Sequence, residues 1–207
     1  MPNGTVVYGE DEIKDRHIST TAQISTSKMA QRVLAVTGVP LTQLRIWDGI
    51  AVNLTATPNT DDLGITTGTY GTNHPYVSAG DLKAAGATTR RARFLVPLPN
   101  DYEAAQTVQI NLIASMTTTV ADTSCTIDVE AWRLDEDGTL GAADLCATSA
   151  QSMNSLTPAD KTFNITAATL EPGDFLDVRI SIACTDAATV TAVIPSLWKV
   201  ELWADLR

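Results

Sequence analysis

From Arg91 onward, apolar and polar residues alternate one by one in run after run. Ala92, Phe94, Val96 and Leu98 alternate with Arg91, Arg93, Leu95 and Pro97. The same pattern holds for Val108 to Met116, Cys125 to Ala131, Phe163 to Ile165, Leu176 to Cys184 and Trp198 to Leu206. Successive strand side chains point to opposite faces, so this pattern reads as strands buried on one side. Many of the apolar positions are β-branched, which suits a pleated surface better than a helix. Half-buried strands separated by turn residues predict an antiparallel sandwich. Links longer than tight hairpins favour a jelly roll over a meander. The fold class is therefore all-β, an antiparallel jelly-roll-like sandwich with an extended N-terminal arm. Ile110, Leu112, Val129, Val178, Ile180 and Val200 should be core, with their sequence neighbours exposed.

The first ninety residues read differently. Gly9 to Leu34 is rich in Thr and Ser, with isolated Ile13, Ile18, Ile24, Met29 and Val33. Their spacing fits neither a helix nor a strand face. Ordering such a segment costs backbone entropy that so few apolar residues do not offset within the monomer. We therefore divide the chain into an arm and attachment segment, 1–45, and a sandwich domain, 46–207. Leu44 to Val52 suggests a short strand, and Ala142 to Ser149 a short helix. Asp135-Glu136-Asp137-Gly138 reads as a turn.

The net charge of −10 argues against direct nucleic-acid binding, which needs basic patches. The charge is uneven. Residues 1–90 hold seven basic and eight acidic side chains, and residues 91–207 hold seven and sixteen. An acidic body thus follows a near-neutral arm. Met1 to Asp15 has no apolar signal-peptide core, and no run is long enough to span a membrane as a helix. Synthesis in the cytoplasm without a Sec signal is expected, with no membrane partner. Cys125, Cys146 and Cys184 are widely spaced. Buried free thiols are the plain reading, and one disulfide is the alternative.

The sequence offers little for catalysis. Its two histidines are His17 in the arm and His74 in a turn-rich loop, and no G-x-S-x-G elbow is present. The carboxylate pairs Asp61/Asp62, Asp135/Asp137 and Asp174/Asp177 could serve a glycosidase only if two converged in a cleft. Adjacent loop acids are more often solvated turn formers. Asp135 and Asp137 could hold a peripheral Ca²⁺, but the full EF-hand pattern is missing. No catalytic residue, cofactor or resident metal is assigned. Trp47, Trp132, Trp198 and Trp203 could line a sugar platform. Trp198 is in phase with the core and should be buried. Trp132 and Trp203 fall on the polar phase, where aromatics mark an interface as readily as a sugar site.

Asp15-Arg16-His17-Ile18 through Ser27-Lys28-Met29 resembles a segment near the start of many virion fibre and head proteins of tailed phages. Ala92 to Tyr102, Asp128 to Trp132 and Leu170 to Arg179 resemble a family of phage β-sandwich proteins. The resemblance implies a non-enzymatic virion structural protein, with capsid decoration (cement) proteins as the nearest functional idea. It implies the major capsid protein or other virion subunits as partners, homo-oligomerisation with a trimer favoured, and residence in the virion. Ile13, Ile18, Ile24, Met29, Trp132 and Trp203 would then be interface residues. The alternative is a carbohydrate- or receptor-binding module of a phage tail or fibre.

Overall fold

The computed structural model describes residues 33–187 and 191–206. The expectations for Ile13, Ile18, Ile24 and Met29 lie outside these residues. Among the described residues the regular elements are one 3-10 turn, Leu41–Gln43, and ten strands. The strands are β1 (Val33–Gly38), β2 (Gly64–Thr66), β3 (Tyr76–Ser78), β4 (Thr88–Pro97) and β5 (Val108–Met116). They continue with β6 (Ser124–Leu134), β7 (Gln151–Ser152), β8 (Ala159–Ile165), β9 (Phe175–Thr185) and β10 (Pro195–Leu206).

Two sheets form. One runs β2-β3-β10-β5-β8, with β1 also paired to β10, and the other runs β4-β9-β6-β7. All pairings between these strands are antiparallel, and β3–β10, β4–β9, β5–β8 and β6–β7 are nested one inside the next. That nesting is a long hairpin rolled onto itself, the jelly roll. Among the described residues the chain adopts the expected all-β jelly-roll sandwich, and the expected arm over residues 1–32 lies outside them.

The core lies between the inner faces. The six expected core residues are each at most 2% exposed. Their sequence neighbours are more often half-buried than exposed, and Asn111 and Asp177 are buried. On the outer face of the four-stranded sheet, Arg93 pairs with Asp177 and Arg179 with Glu130, which shields these neighbours. Ile180 sits on the central strand β9 against Ala92 and Val129. Ile180→Ala should cost about 2–5 kcal/mol, read as a lower urea midpoint with an unchanged slope.

Several expectations change. Residues 33–45, grouped with the arm above, belong to the sandwich: β1 pairs with β10 from Val33↔Leu206 to Gly38↔Glu201, and Val39 and Leu44 are buried. Leu44 to Val52 is not a strand; only Arg45 bridges, to Asn53 and Arg93. The expected helix at 142–149 is absent. Asp144 Oδ1 accepts from the backbone N–H of both Ala131 and Cys146, at 2.9 Å each. Such side-chain bonds compete with helical ones, and the chain instead bridges Cys146 to Ile165. Trp198 is half-buried, because a bulge between Leu197 and Lys199 reverses the phase and sends Leu197 inward. Cys125 and Cys184 stand opposite each other on β6 and β9, fully buried, and are joined as a disulfide. Cys146 is the free cysteine, and burial pushes its thiol up.

Candidate functional site

The outer face of the four-stranded sheet carries a dense row of charge. The register aligns Arg93 on β4, Arg179 on β9 and Glu130 on β6 in one row, and Leu95, Asp177 and Trp132 in the next. Two arginines side by side would repel, and each is matched by a carboxylate. Arg93 Nε donates to Asp177 Oδ1 at 2.6 Å, and its Nη2 donates to Oδ2. This hydrogen bond, against the opposing effect of burial, holds the Arg93 guanidinium pKa above its usual value. Arg179 pairs with Glu130.

Trp47 reaches this face from a loop. Arg45 exchanges backbone hydrogen bonds with Arg93 at 2.8 and 3.0 Å, which docks the loop on the edge of β4. The chain then turns at Gly49, whose carbonyl accepts from Val52 N–H at 2.8 Å. Trp47 Nε1 donates to Asp61 Oδ2 at 3.0 Å. The guanidinium carbons of Arg91 and Arg179 lie 5.3 and 5.5 Å from the ring centroid. Both are within cation–π range, so three groups from separate segments orient the indole.

Between Trp47 and Trp132 lies a cleft of about 370 Å³. Arg93, Asp177, Arg179 and Glu130 also line it, with Asp48 and Leu140. Leu140 is exposed and comes from the Asp135–Leu140 turn, which closes through a bridge between Leu134 and Leu140. Gly138 makes this turn at φ +86°, a value that favours glycine. The cleft thus combines two indoles with fixed, charge-paired donors and acceptors.

The other candidate residues are committed elsewhere. Asp61 holds Trp47, and Asp62 is buried where it bridges to Arg91. Asp135 and Asp137 accept from backbone N–H groups within their own turn, at 2.7 and 2.8 Å. Asp174 binds Arg133, while Asp177 binds Arg93, so this pair does not converge. Among the described residues no group of three or more His, Cys, Asp or Glu could hold a metal ion. His74 is exposed in its loop. On the outer face of β6, Asp128 has its carboxyl pushed up, first by burial and then by the charges of Glu130 and Asp144. It does not line the cleft.

Of the two described interface candidates, the structure puts Trp132 in the cleft. Trp203 lies on the other sheet, opposite Val36 of β1, with its Nε1 donating to Glu201 at 3.0 Å. The two are therefore not brought together. The reading from sequence missed Arg93, Arg179 and Glu130, and considered Asp177 only as a carboxylate partner of Asp174. The available signal was opposite charge on the polar phase of three strands, which becomes a site only once β4, β9 and β6 are known to be neighbours.

No family model matches the sequence, and no curated protein matches it. Among solved structures, the chain is similar to a xylan-binding module, CBM15, at 17% identity and TM-score 0.44, covering 82% of this chain and 96% of that one. It is similar to the module TmCBM61, solved in complex with β-1,4-galactotriose, at 8% identity and TM-score 0.40, covering 83% and 88%. It is also similar to a structure of infectious bursal disease virus, Gx strain, at 12% identity and TM-score 0.40, covering 86% of this chain and 32% of that chain. These likenesses are loose.

Proposed function

We propose that the chain is a non-catalytic binding module that takes a neutral oligosaccharide in the cleft between Trp47 and Trp132. The observation that carries this reading is the pairing of two indoles with a floor of ion pairs, Arg93–Asp177 and Arg179–Glu130. Sugar rings present apolar C–H faces that pack on indole, and hydroxyls that accept from arginine and donate to carboxylate. A floor already neutral in charge favours an uncharged ligand over an ion. Trp47 is held before any ligand arrives, which lowers the ordering cost of binding.

The test is a glycan array followed by tryptophan fluorescence titration with the oligosaccharides retained. Trp132→Ala should weaken binding by about 2 kcal/mol, roughly thirty-fold in Kd, if Trp132 is an anchor. Retention of no glycan, or equal affinity of wild type and Trp132→Ala, overturns the proposal.

A second reading is a capsid-decorating structural subunit, with the major capsid protein or another virion subunit as partner and the virion as its location. It draws support from the exposed, uncharged strand β1 at a sheet edge, the kind of surface used in assembly. Binding to undecorated phage shells, without glycan retention, would favour it.

A further inference from the structure

The pairing of β10 with β5 shifts register between Leu197 and Lys199. Two successive residues, Trp198 and Lys199, thereby leave the buried face. A bulge interrupts the ladder and re-aims a side chain, and bulges are common beside sites for that reason. This one turns the Trp198 indole onto the outer face of the six-stranded sheet. Both neighbouring strands hold the indole there. Its Nε1 donates to Ser115 Oγ on β5 at 2.9 Å, and the Tyr76 ring on β3 lies against it with the centroids 4.9 Å apart. Beside it opens a hollow of about 330 Å³. Pro40 and Leu41, from the turn after β1, form one wall with Val39, and Lys199 and Glu201 line it with Trp198. Lys199 Nζ pairs with Glu201 Oε1 at 2.6 Å.

We propose that this hollow is a second saccharide site, weaker than the cleft and on the other sheet. The proposal rests on the reading of the cleft as a saccharide site and takes its ligand class from it. The lining repeats that of the cleft in reduced form. An indole is fixed before any ligand arrives, and it stands beside an ion pair that leaves no net charge. The indole offers its face to sugar C–H groups, Lys199 donates to hydroxyls, and Glu201 accepts from them. One indole stands where the cleft has two. The Kd is therefore about thirty-fold higher, the same factor expected when Trp132 is cut from the cleft. The two sites lie on the outer faces of opposite sheets, so the domain takes two saccharides and can bridge neighbouring chains of a polysaccharide, with a gain in avidity.

The experiment follows the four indole N–H signals of the full, isotope-labelled chain by NMR, assigned with Trp→Phe variants. The probe is the neutral oligosaccharide that the glycan array retains best. The Trp47 and Trp132 signals should move together at low concentration, and the Trp198 signal should move with its own midpoint, about thirty-fold higher. Trp132→Ala should leave the Trp198 midpoint where it was. Lys199→Ala should raise the Trp198 midpoint several-fold and leave that of Trp47 unchanged. Lys199 is exposed, so this variant should fold as the wild type does. A Trp198 signal that stays still while Trp47 and Trp132 move overturns the second site alone. A Trp198 midpoint that follows Trp47 in every variant also overturns it, because one site is then sensed at a distance. Retention of no glycan overturns this proposal together with the reading of the cleft.

Discussion

Reduction of the Cys125–Cys184 bond should lower the stability of the domain by about 4 kcal/mol, because the bond closes a loop of about 60 residues in the unfolded chain. In a domain of this size that corresponds to a fall in Tm on the order of 10 °C. The native sandwich should survive reduction at room temperature, since β6 and β9 stay paired along eleven residues each. Guanidinium unfolding with and without reductant checks this, with thiol titration alongside. The thiol count should rise from one, Cys146, to three. The double variant Cys125→Ala, Cys184→Ala should match the reduced protein. An unchanged midpoint once three thiols titrate would sink the prediction.

The second large effect is expected at Asp174, in the turn that leads into β9. Its side chain is 1% exposed, its Oδ2 accepts from Arg133 Nε at 2.7 Å, and the same oxygen accepts from Glu171 N–H at 2.8 Å. The guanidinium pKa of Arg133 is raised above its usual value, first by the hydrogen bond to Asp174. Removing one partner of a buried pair strands the other and a backbone donor. Asp174→Ala should therefore cost about 3 kcal/mol, the low end for such pairs, because Arg133 keeps Asp135 at 3.2 Å. Asp174→Asn keeps an acceptor oxygen and should cost clearly less. Urea midpoints of the two variants provide the check. An alanine variant with the wild-type midpoint would overturn the prediction, and equal losses in the two variants would show that the acceptor oxygen kept by asparagine contributes nothing.

The strands were legible because burial on one face writes itself into local alternation. Ile110, Val129, Val178 and Ile180 could be placed inside without knowing which strand neighbours which. The phase failed at Trp198, where the bulge before Lys199 adds a residue to β10 that no local pattern marks. It also failed for residues 33–38, which do not alternate in burial because β1 is exposed on both faces. The disulfide stayed ambiguous because Cys125 and Cys184 meet only through the β6–β9 register. The cleft was hidden for the same reason. Arg93, Asp177, Arg179 and Glu130 are ordinary polar-phase residues until rolling makes them neighbours. Trp47 gave still less local signal, because a loop in contact with β4 positions it rather than a strand.

The nested strand order also governs when the domain can assemble. β10 lies between β5 on one side and β3 with β1 on the other, so it is the central seam of its sheet. It is also the last strand in sequence. While the chain is being synthesised, β2–β3 and β5–β8 can pair, but β1 lacks β10 until almost the whole domain has left the ribosome. Such non-local pairing slows folding to the millisecond-to-second range. It also leaves the apolar strand β1 without β10 throughout that interval, a period in which nascent chains close together are open to mispairing.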